Sequence, residues 1–340
     1  MAVLSGSGSQ LRVEFSDPLN GSGFTVKSAS VAAAASTSSL DVTAGTSFPL
    51  AFTGATTVSV PAGGADVVSD PVGIPVAPGK AVAVTVVGSA GDAGPRTETP
   101  EPAGCVTGTL SKPATAPGSA FTTIAKTHWV SGIRVDGPAE ESLLILGDSI
   151  SARSYQDGYG PYRWPDMLRP SGASVADDSV GGGEISQPGI GGSPDGITRL
   201  KHALQEPYAT WLIIEQGTND LAAGVTTDTV LSKLSQAAGM GTAQTLNTVV
   251  ATIPPRGGNT GWTATEETAR QQVNTTLRSD TWASSRGATI LDLDTLLRDP
   301  ANPAALNPLY DSGDHLHPNA AGDHVIATAV AKLLGLSGIS

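Results

Sequence analysis

The chain has 340 residues and a net charge of −12 at pH 7, with 39% hydrophobic and 15% charged residues. A chain of this length exceeds what one hydrophobic core usually serves, so the length predicts two domains. The acidic balance, with no run of Lys or Arg, argues against nucleic acid as a partner, because surfaces that bind phosphates are basic.

No apolar stretch reaches the ~18 residues that a membrane-spanning helix needs, so we expect no membrane span. The first ten residues, MAVLSGSGSQ, lack the basic and long apolar regions of a signal peptide. The sequence therefore does not decide the location of the protein, which is either cytoplasmic or secreted after removal of a leader. Cys105 is the only cysteine, so neither an intrachain disulfide nor a cysteine-based zinc site is expected.

Residues 1–138 are predicted to form an all-β domain. Short segments rich in Val, Thr and Phe alternate with turn residues every ~8–12 positions, which is typical of an antiparallel β-sandwich or jelly roll. The Gly-, Pro- and Thr-rich segment from Gly88 to Gly118 is expected to be a long loop. The predicted strands are QLRVEF, GFTVKSASV, SLDVT, SFPLAFT, TTVSVPA, DVVSDPV, AVAVTVVG, FTTIA and HWVSGIRVDG.

Residues 139–340 are predicted to form an α/β domain, because strands and helices alternate there as in a parallel sheet covered on both faces. Such sheets place reactive groups at the carboxyl ends of their strands, where GDS, EQGTND and IPP stand. Thr265 is the expected N-cap of one helix, and Gly335 is the expected end of the last. The predicted strands are LLIL, TWLIIEQG, LNTVVATIPP and ATILDLD, and the predicted helices are YRWPDMLRP, GITRLKHALQ, TATEETARQQVNTTLRSD and NAAGDHVIATAVAKLLG.

Ser149 follows the first of these strands after the turn Gly147-Asp148 and is a candidate nucleophile. A serine hydroxyl needs a base, and the base needs an orienting acid. Three of the five histidines lie in predicted strands or helices and are interpreted as surface or packing residues: His128, His202 and His324. The loop YDSGDHLHPN holds the other two. The spacing leaves two pairings open there, Asp314 with His317 and Asp311 or Asp314 with His315.

The same loop, read as Asp-x-x-Asp-His-x-His, is also compatible with a metal site to which Asp148 and Asp220 would add ligands. Asp148 and Asp220 are interpreted instead as acceptors for loop amides beside the site. Asp292 and Asp294, at a strand end, are interpreted as helix caps or polar contacts. Trp164 is interpreted as a packing residue of the first helix, with a place in the wall of the substrate site as the alternative.

Two other strand ends offer donors for a developing oxyanion. Asn219, in EQGTND, would project from the end of a buried strand, and its neutral amide can donate without adding charge. The segment SVGGGEI, at residues 179–185, is expected to follow a further strand that lies between LLIL and TWLIIEQG in the chain, and glycines allow a backbone N–H to point closely into a site. The residues by themselves do not choose among Gly181, Gly182 and Gly183.

Together these segments resemble four sequence blocks of the SGNH or GDSL hydrolases, in order, over residues 143–335. GDSI at 147–150 resembles the nucleophile block, Gly182 in SVGGG the second, GTND at 217–220 the third and DHLHP at 314–318 the fifth. Where relatives often begin the second block with Asn, this chain has Asp177 and Asp178. The resemblance implies a flavodoxin-like three-layer α/β/α domain with five parallel strands.

The resemblance also implies a serine esterase that uses no metal and no cofactor. It selects Asp314 and His317 as the acid and base for Ser149, and it assigns the oxyanion hole to the N–H groups of Ser149 and Gly182 and the side chain of Asn219. A narrower similarity to bacterial esterases that carry a β-sandwich before the hydrolase domain fits the layout of residues 1–138.

The expected substrate is a small-molecule or glycan ester with a short acyl group such as acetyl, because no long apolar lid segment stands near the site in the sequence. An acyltransferase would use the same triad and differ only in its acceptor. A non-catalytic carbohydrate-binding protein is the other alternative, and it would require the loss of one of the four blocks.

Overall fold

The computed structural model describes residues 2–4, 7–16, 23–36, 41–62, 67–77, 79–88, 97–105, 122–127, 130–137, 141–152, 163–189, 193–205 and 209–337. The chain divides into two compact units, Met1–Glu140 with Arg169–Ser174 and Glu141–Leu168 with Val175–Ser340. The predicted domain boundary after residue 138 falls outside the described residues and stays a prediction. No helix in the described ranges has the length and hydrophobicity to cross a membrane.

The described part of the first unit is built from antiparallel strands. One sheet has the order β1-β7-β3-β4, with β5 also paired to β3; a second has the order β10-β2-β6, and β8 pairs with β9. The strands are β1 Ala2–Val3, β2 Leu11–Phe15, β3 Phe24–Ala33, β4 Phe48–Pro49, β5 Val58–Val60, β6 Val67–Val68, β7 Ala81–Gly88, β8 Thr97–Cys105, β9 Thr122–Thr127 and β10 Val130–Val135.

The core of this unit joins the two larger sheets. Val13 and Phe15 of β2 belong to the same buried cluster as Val26 and Val31 of β3. Because β2 and β3 lie in different sheets, the two sheets face each other across this core, as in a β-sandwich. The predicted antiparallel β class of the first unit is thus confirmed.

The prediction of a loop from Gly88 to Gly118 is wrong for Thr97–Cys105, because these residues form strand β8. The register of the β8–β9 pair shifts in the middle of β8, where Pro100 and Pro102 stand. Proline is tolerated at such irregularities because it need not donate a ladder hydrogen bond there. The rest of that segment, and His128, lie outside the described residues.

The second unit contains a five-stranded parallel sheet in the order β12-β11-β13-β14-β15. Having the second strand outside the first is the order of flavodoxin-like folds, so the predicted fold class is confirmed. The elements are β11 Ser142–Gly147, α1 Ser149–Ala152, α2 Trp164–Met167, β12 Ser174–Asp177, α3 Gly196–Ala203, β13 Trp211–Glu215, α4 Thr218–Ala222, α5 Thr227–Ala243, β14 Asn247–Ala251, α6 Ala264–Leu277, α7 Asp280–Ser284, β15 Ala288–Leu291, α8 Leu293–Leu297, β16 Arg298–Asp299, β17 Asn302–Leu306 and α9 Ala320–Leu334.

Both faces of this sheet are buried. Leu144 and Leu146 of β11 pack in one cluster with residues of α3, α5 and α6, while Leu143 and Ile145 on the opposite face are also buried. Strands that are covered on both sides have continuous apolar sequences, as LLIL and WLII do here.

Two helix features depart from expectation. The N-cap of α6 is Thr263, not Thr265, because Glu266 stands three residues after Thr263 and completes a capping box with it. Helix α5 is absent from the predicted elements, since its many Thr, Ser and Gly residues are weak helix formers. Helix α9 ends as predicted at Gly335, whose φ of 72° suits glycine.

Candidate active site

The turn after β11 presents Ser149 at the carboxyl edge of the parallel sheet. Ser149 begins the short helix α1 and is 5% exposed. Its Oγ lies 2.9 Å from Nε2 of His317. As the first N–H of a helix, the Ser149 amide has no acceptor within that helix. The Ser149 hydroxyl is therefore hydrogen-bonded to the His317 imidazole, and the Ser149 amide N–H is left available for another acceptor.

The imidazole of His317 is held from its other side by Asp314, whose Oδ2 lies 2.5 Å from Nδ1. Oδ1 of Asp314 accepts the N–H groups of Leu316 and His317, at 2.9 Å each, and the Ser312 hydroxyl at 3.1 Å. Burial would raise the pKa of Asp314, but the hydrogen bonds from His317 and Leu316 outweigh it and lower the pKa to about 2. The carboxylate is therefore ionised and fixed in direction.

The competing pair is also formed, but it points elsewhere. Nδ1 of His315 lies 2.7 Å from Oδ2 of Asp311, and His315 adopts a left-handed φ of 63°. The side chain of His315 is 52% exposed, whereas that of His317 is 7% exposed. Of the two histidines, His317 is the one that bonds to the Ser149 hydroxyl.

The glycine segment and Asn219 lie next to each other. Gly182, with a φ of 70°, occupies a tight turn in which the Gly183 N–H donates to Val180 O at 2.9 Å. This bond engages the amide of Gly183 and leaves Gly182 as the better candidate donor of the two. The Asn219 side-chain amide donates one N–H to Gly183 O at 3.1 Å. An amide carries two N–H groups, so a second remains for a substrate.

The glycine turn is anchored to the nucleophile turn and to α4. Val180 N–H donates to Gly147 O at 3.2 Å. Asp220 accepts the N–H groups of Ile185 and Ser186 at 3.0 and 2.9 Å. This agrees with the interpretation of Asp220 as an acceptor for loop amides. The candidate oxyanion donors are thus held by contacts between three strand ends.

Three further acids near the strand ends, Asp148, Asp292 and Asp294, have partners within the fold, as predicted. Asp148 Oδ1 accepts the Ile150 N–H at 2.9 Å. Asp292 caps α8 through Thr295 N–H and pairs with Arg278, and Asp294 pairs with Arg270 at 2.6 Å. Within the described ranges, no group of three or more His, Cys, Asp and Glu side chains is arranged to hold a metal ion.

Arg256 and Asn259, which the sequence analysis did not single out, connect the candidate site across strand ends. Arg256 donates to Thr218 O at 3.2 Å and to Asn259 Oδ1 at 3.1 Å, and Asn259 Nδ2 donates to Asp314 O at 2.8 Å. The guanidinium also lies 5.1 Å from the centre of the Trp262 ring. Their position just after IPP, itself a predicted strand end, is the signal that could have found them.

Glu215 is the other missed residue. It ends β13 with 3% exposure and accepts the Ser151 hydroxyl at 2.9 Å. Trp164, buried as predicted, donates its indole N–H to the same Ser151 oxygen at 3.2 Å. A charged residue inside an apolar strand, as in LIIEQG, is the sequence signal that could have indicated it.

Residues 145–325, more than half of the chain, match the GDSL-like lipase/acylhydrolase family. A search of the curated proteins finds no match. Among solved structures, a candidate lipolytic protein of the G-D-S-L family from Desulfitobacterium hafniense DCB-2 is 15% identical, with a TM-score of 0.47 over 57% of this chain and 99% of that one.

Two further solved structures are similar to the chain. A member of the lipolytic protein G-D-S-L family from Veillonella parvula DSM 2008 is 16% identical, with a TM-score of 0.44 over 56% of this chain and 97% of that one. A mutant of Axe2, an acetyl-xylooligosaccharide esterase from Geobacillus stearmophilus, is 18% identical, with a TM-score of 0.41 over 58% of this chain and 96% of that one. These likenesses are too distant to indicate a substrate.

Proposed function

This chain belongs to the GDSL-like lipase/acylhydrolase family and is a carboxylic ester hydrolase, and we propose that it is a serine esterase with Ser149, His317 and Asp314 as its triad. One observation carries the proposal. The hydroxyl of Ser149, both ring nitrogens of His317 and the carboxylate of Asp314 form a continuous chain of contacts at 2.9 and 2.5 Å. Such a chain is what a hydroxyl needs to become a nucleophile.

In the acylation step, Ser149 Oγ attacks the carbonyl carbon of the ester while His317 Nε2 takes the hydroxyl proton. The tetrahedral intermediate collapses, the bond to the leaving alcohol breaks, and His317 returns the proton to that alcohol. Water then attacks the acyl-enzyme with the same base, which releases the carboxylic acid and restores Ser149. Asp314 holds Nδ1–H throughout and stabilises the imidazolium.

Three hydrogen-bond donors are proposed to stabilise the negative charge that develops on the carbonyl oxygen. They are the N–H groups of Ser149 and Gly182 and the side-chain amide of Asn219. Their support is the contact of Asn219 with the glycine turn and the bond between that turn and Gly147. Donors that are fixed before the reaction stabilise the transition state without reorganising.

The proposed substrate is a short-chain ester, in the first place an acetyl ester of a small molecule or a carbohydrate. The preference for short acyl groups is supported by the sequence, which carries no long apolar lid segment near the four blocks. A panel of p-nitrophenyl esters from acetate to palmitate, together with acetylated xylan, tests it. Activity that increases toward long chains would contradict it.

The triad is tested with Ser149→Ala. We expect this variant to lose turnover of p-nitrophenyl acetate and to lose labelling by a fluorophosphonate probe, while its circular dichroism stays that of the wild type. A variant that still turns over the ester at the wild-type rate would overturn the proposal. Product analysis with a competing alcohol separates the hydrolase from the acyltransferase, because only the latter would form a new ester as its main product.

A further inference from the structure

A second pair of acids lies directly beneath the nucleophile turn. In the parallel pairing of β11 with β13, Gly147 is the register partner of Glu215, so Asp148 and Glu215 emerge at the same edge of the sheet. Asp148 is 0% exposed and Glu215 is 3% exposed. Ionising two buried carboxyl groups at neighbouring strand ends is strongly unfavourable, because their charges repel each other and neither is solvated by water.

The hydrogen bonds around Glu215 have a defined direction. An indole N–H can only donate, so the Trp164 bond makes Ser151 Oγ the acceptor and leaves the Ser151 hydroxyl proton to point at Glu215 Oε2. Oε2 also lies 3.4 Å from the Asp148 N–H. Because Oε2 accepts both of these donors, a proton on Glu215 belongs on its other oxygen, Oε1.

Asp148 has a buried oxygen that lacks a hydrogen-bond donor within the described part of the chain. Its Oδ1 accepts the Ile150 N–H, whereas its buried Oδ2 has no donor among the described residues when both acids are ionised. The Asp148 N–H lies 3.4 Å from Glu215 Oε2, so the two acids are direct neighbours. A proton on Glu215 would supply the hydrogen-bond donor that Oδ2 of Asp148 lacks.

The electrostatic surroundings favour the same arrangement. Burial, with a smaller contribution from the Asp220 charge, raises the pKa of Asp148 to about 7 against the opposing effects of the Ile150 N–H, the Arg256 charge and a hydrogen bond with Glu215. Burial, and then the charge of Asp148, raise the pKa of Glu215 well above its usual range. Both shifts favour a pair of acids that shares one proton, and the two donors at Glu215 Oε2 together with the unpartnered Oδ2 of Asp148 favour Glu215 as its carrier.

We propose that Glu215 is a positioning residue that acts as a neutral carboxylic acid, holding Asp148 and through it the turn that presents Ser149. The Asp148 side chain binds the Ile150 N–H, and its carbonyl accepts the Ala152 N–H at 2.9 Å. Ser149 stands in the chain between Asp148 and these two partners, so a shift of Asp148 moves the nucleophile away from His317. A neutral Glu215 also spares the oxyanion a second negative charge nearby.

The test compares two variants of similar length. Glu215→Gln keeps an acceptor for Ser151 and a donor for Asp148, so we expect kcat close to that of the wild type. Glu215→Met keeps the chain length but has neither group, so we expect kcat to fall about 10- to 100-fold with KM nearly unchanged, as for the loss of buried hydrogen-bond partners. Glu215→Gln that loses as much kcat as Glu215→Met, or does not fold, overturns the proposal.

An infrared measurement tests the proton without using activity. The wild type at neutral pH should show a carboxylic acid C=O band that is missing from Glu215→Gln. Burial also raises the pKa of Asp323, to about 8, so that acid contributes a band in both proteins and cancels in the difference spectrum. The absence of a difference band would show that Glu215 is ionised and would overturn the proposal.

Stability gives a third readout with a defined sign. The folded chain holds a Glu215 proton that the unfolded chain releases above its ordinary pKa of 4.5, so this contribution to the stability of the wild type decreases as pH rises above that value. Glu215→Gln lacks this decrease, and we expect its stability relative to the wild type to increase with pH. A difference that stays constant with pH would contradict a protonated Glu215.

The inference rests on the proposed role of Ser149 only for its kinetic test. If Ser149→Ala remained active, the proposed function would be wrong, while the infrared band and the pH dependence would still decide whether Glu215 carries a proton.

Discussion

Replacing Asp314 by Asn separates a catalytic acid from a merely structural one. Oδ1 of Asp314 is bound by two backbone N–H groups at 2.9 Å, so an Asn side chain should keep its oxygen there and turn its NH₂ toward His317 Nδ1. Two donors would then face each other, unless the imidazole moves its proton to Nε2. In that tautomer Nε2 can no longer accept the proton of Ser149.

The expected loss in kcat is about 10⁴-fold, the magnitude that a wrong histidine tautomer produces in serine hydrolases. This corresponds to roughly 5.5 kcal/mol of transition-state stabilisation. KM should change little, because neither Asp314 nor the tautomer of His317 binds the ground-state ester. The assay is steady-state hydrolysis of p-nitrophenyl acetate, with urea unfolding as a check on the fold.

Asp311→Asn is the matched control. Asp311 has the same relation to His315 as Asp314 has to His317, with Oδ2 2.7 Å from Nδ1 and Oδ1 accepting the N–H groups of His315 and Gly313. We expect its kcat to remain close to that of the wild type. A large loss for Asp311→Asn together with a small loss for Asp314→Asn would refute the assignment of the acid and of the base.

Two further predictions concern a donor and a helix cap. Asn219→Ala should lower kcat about 10²- to 10³-fold with KM almost unchanged, because the amide acts on charge that appears in the transition state; an unchanged kcat would remove Asn219 from the oxyanion hole. Thr263→Ala should lower the free energy of unfolding by about 1 kcal/mol, measured in urea, whereas Thr265→Ala should cost less. Equal effects of the two threonine variants would contradict Thr263 as the N-cap of α6.

The fold class followed from local sequence patterns, and the errors fell where a local pattern was weak or opposed the structure that formed. Apolar runs such as LLIL and WLII predicted strands buried on both faces, because a strand covered on both sides has no solvent-facing side that needs polar residues. Helix α5 was missed, since its helical state depends on packing against β13 and β14 rather than on the propensity of its own residues. Strand β8 was missed because it contains two prolines and a glycine, residues that are depleted in strands.

The candidate site divides in the same way. Ser149, Gly182, Asn219, Asp314 and His317 could be named because each stands in a short block with its own pattern. Their roles remain proposals that the experiments above address. Glu215, Arg256 and Asn259 were not named, although a charge at the end of an apolar strand and a place just after IPP are local signals for them. Those signals mark the positions but not the roles, because the contacts that define the roles join residues dozens of positions apart in the chain.

The sequence by itself determined which chemical groups stand at the strand ends, because turns, glycines and apolar runs are properties of adjacent residues. The tertiary structure decided which of those groups meet. Residue spacing left His315 and His317 equivalent, and only the folded chain brings His317, and not His315, to the hydroxyl of Ser149. It also decided the state of Glu215, since a carboxyl group shares its proton only when burial and strand register set a second carboxyl against it.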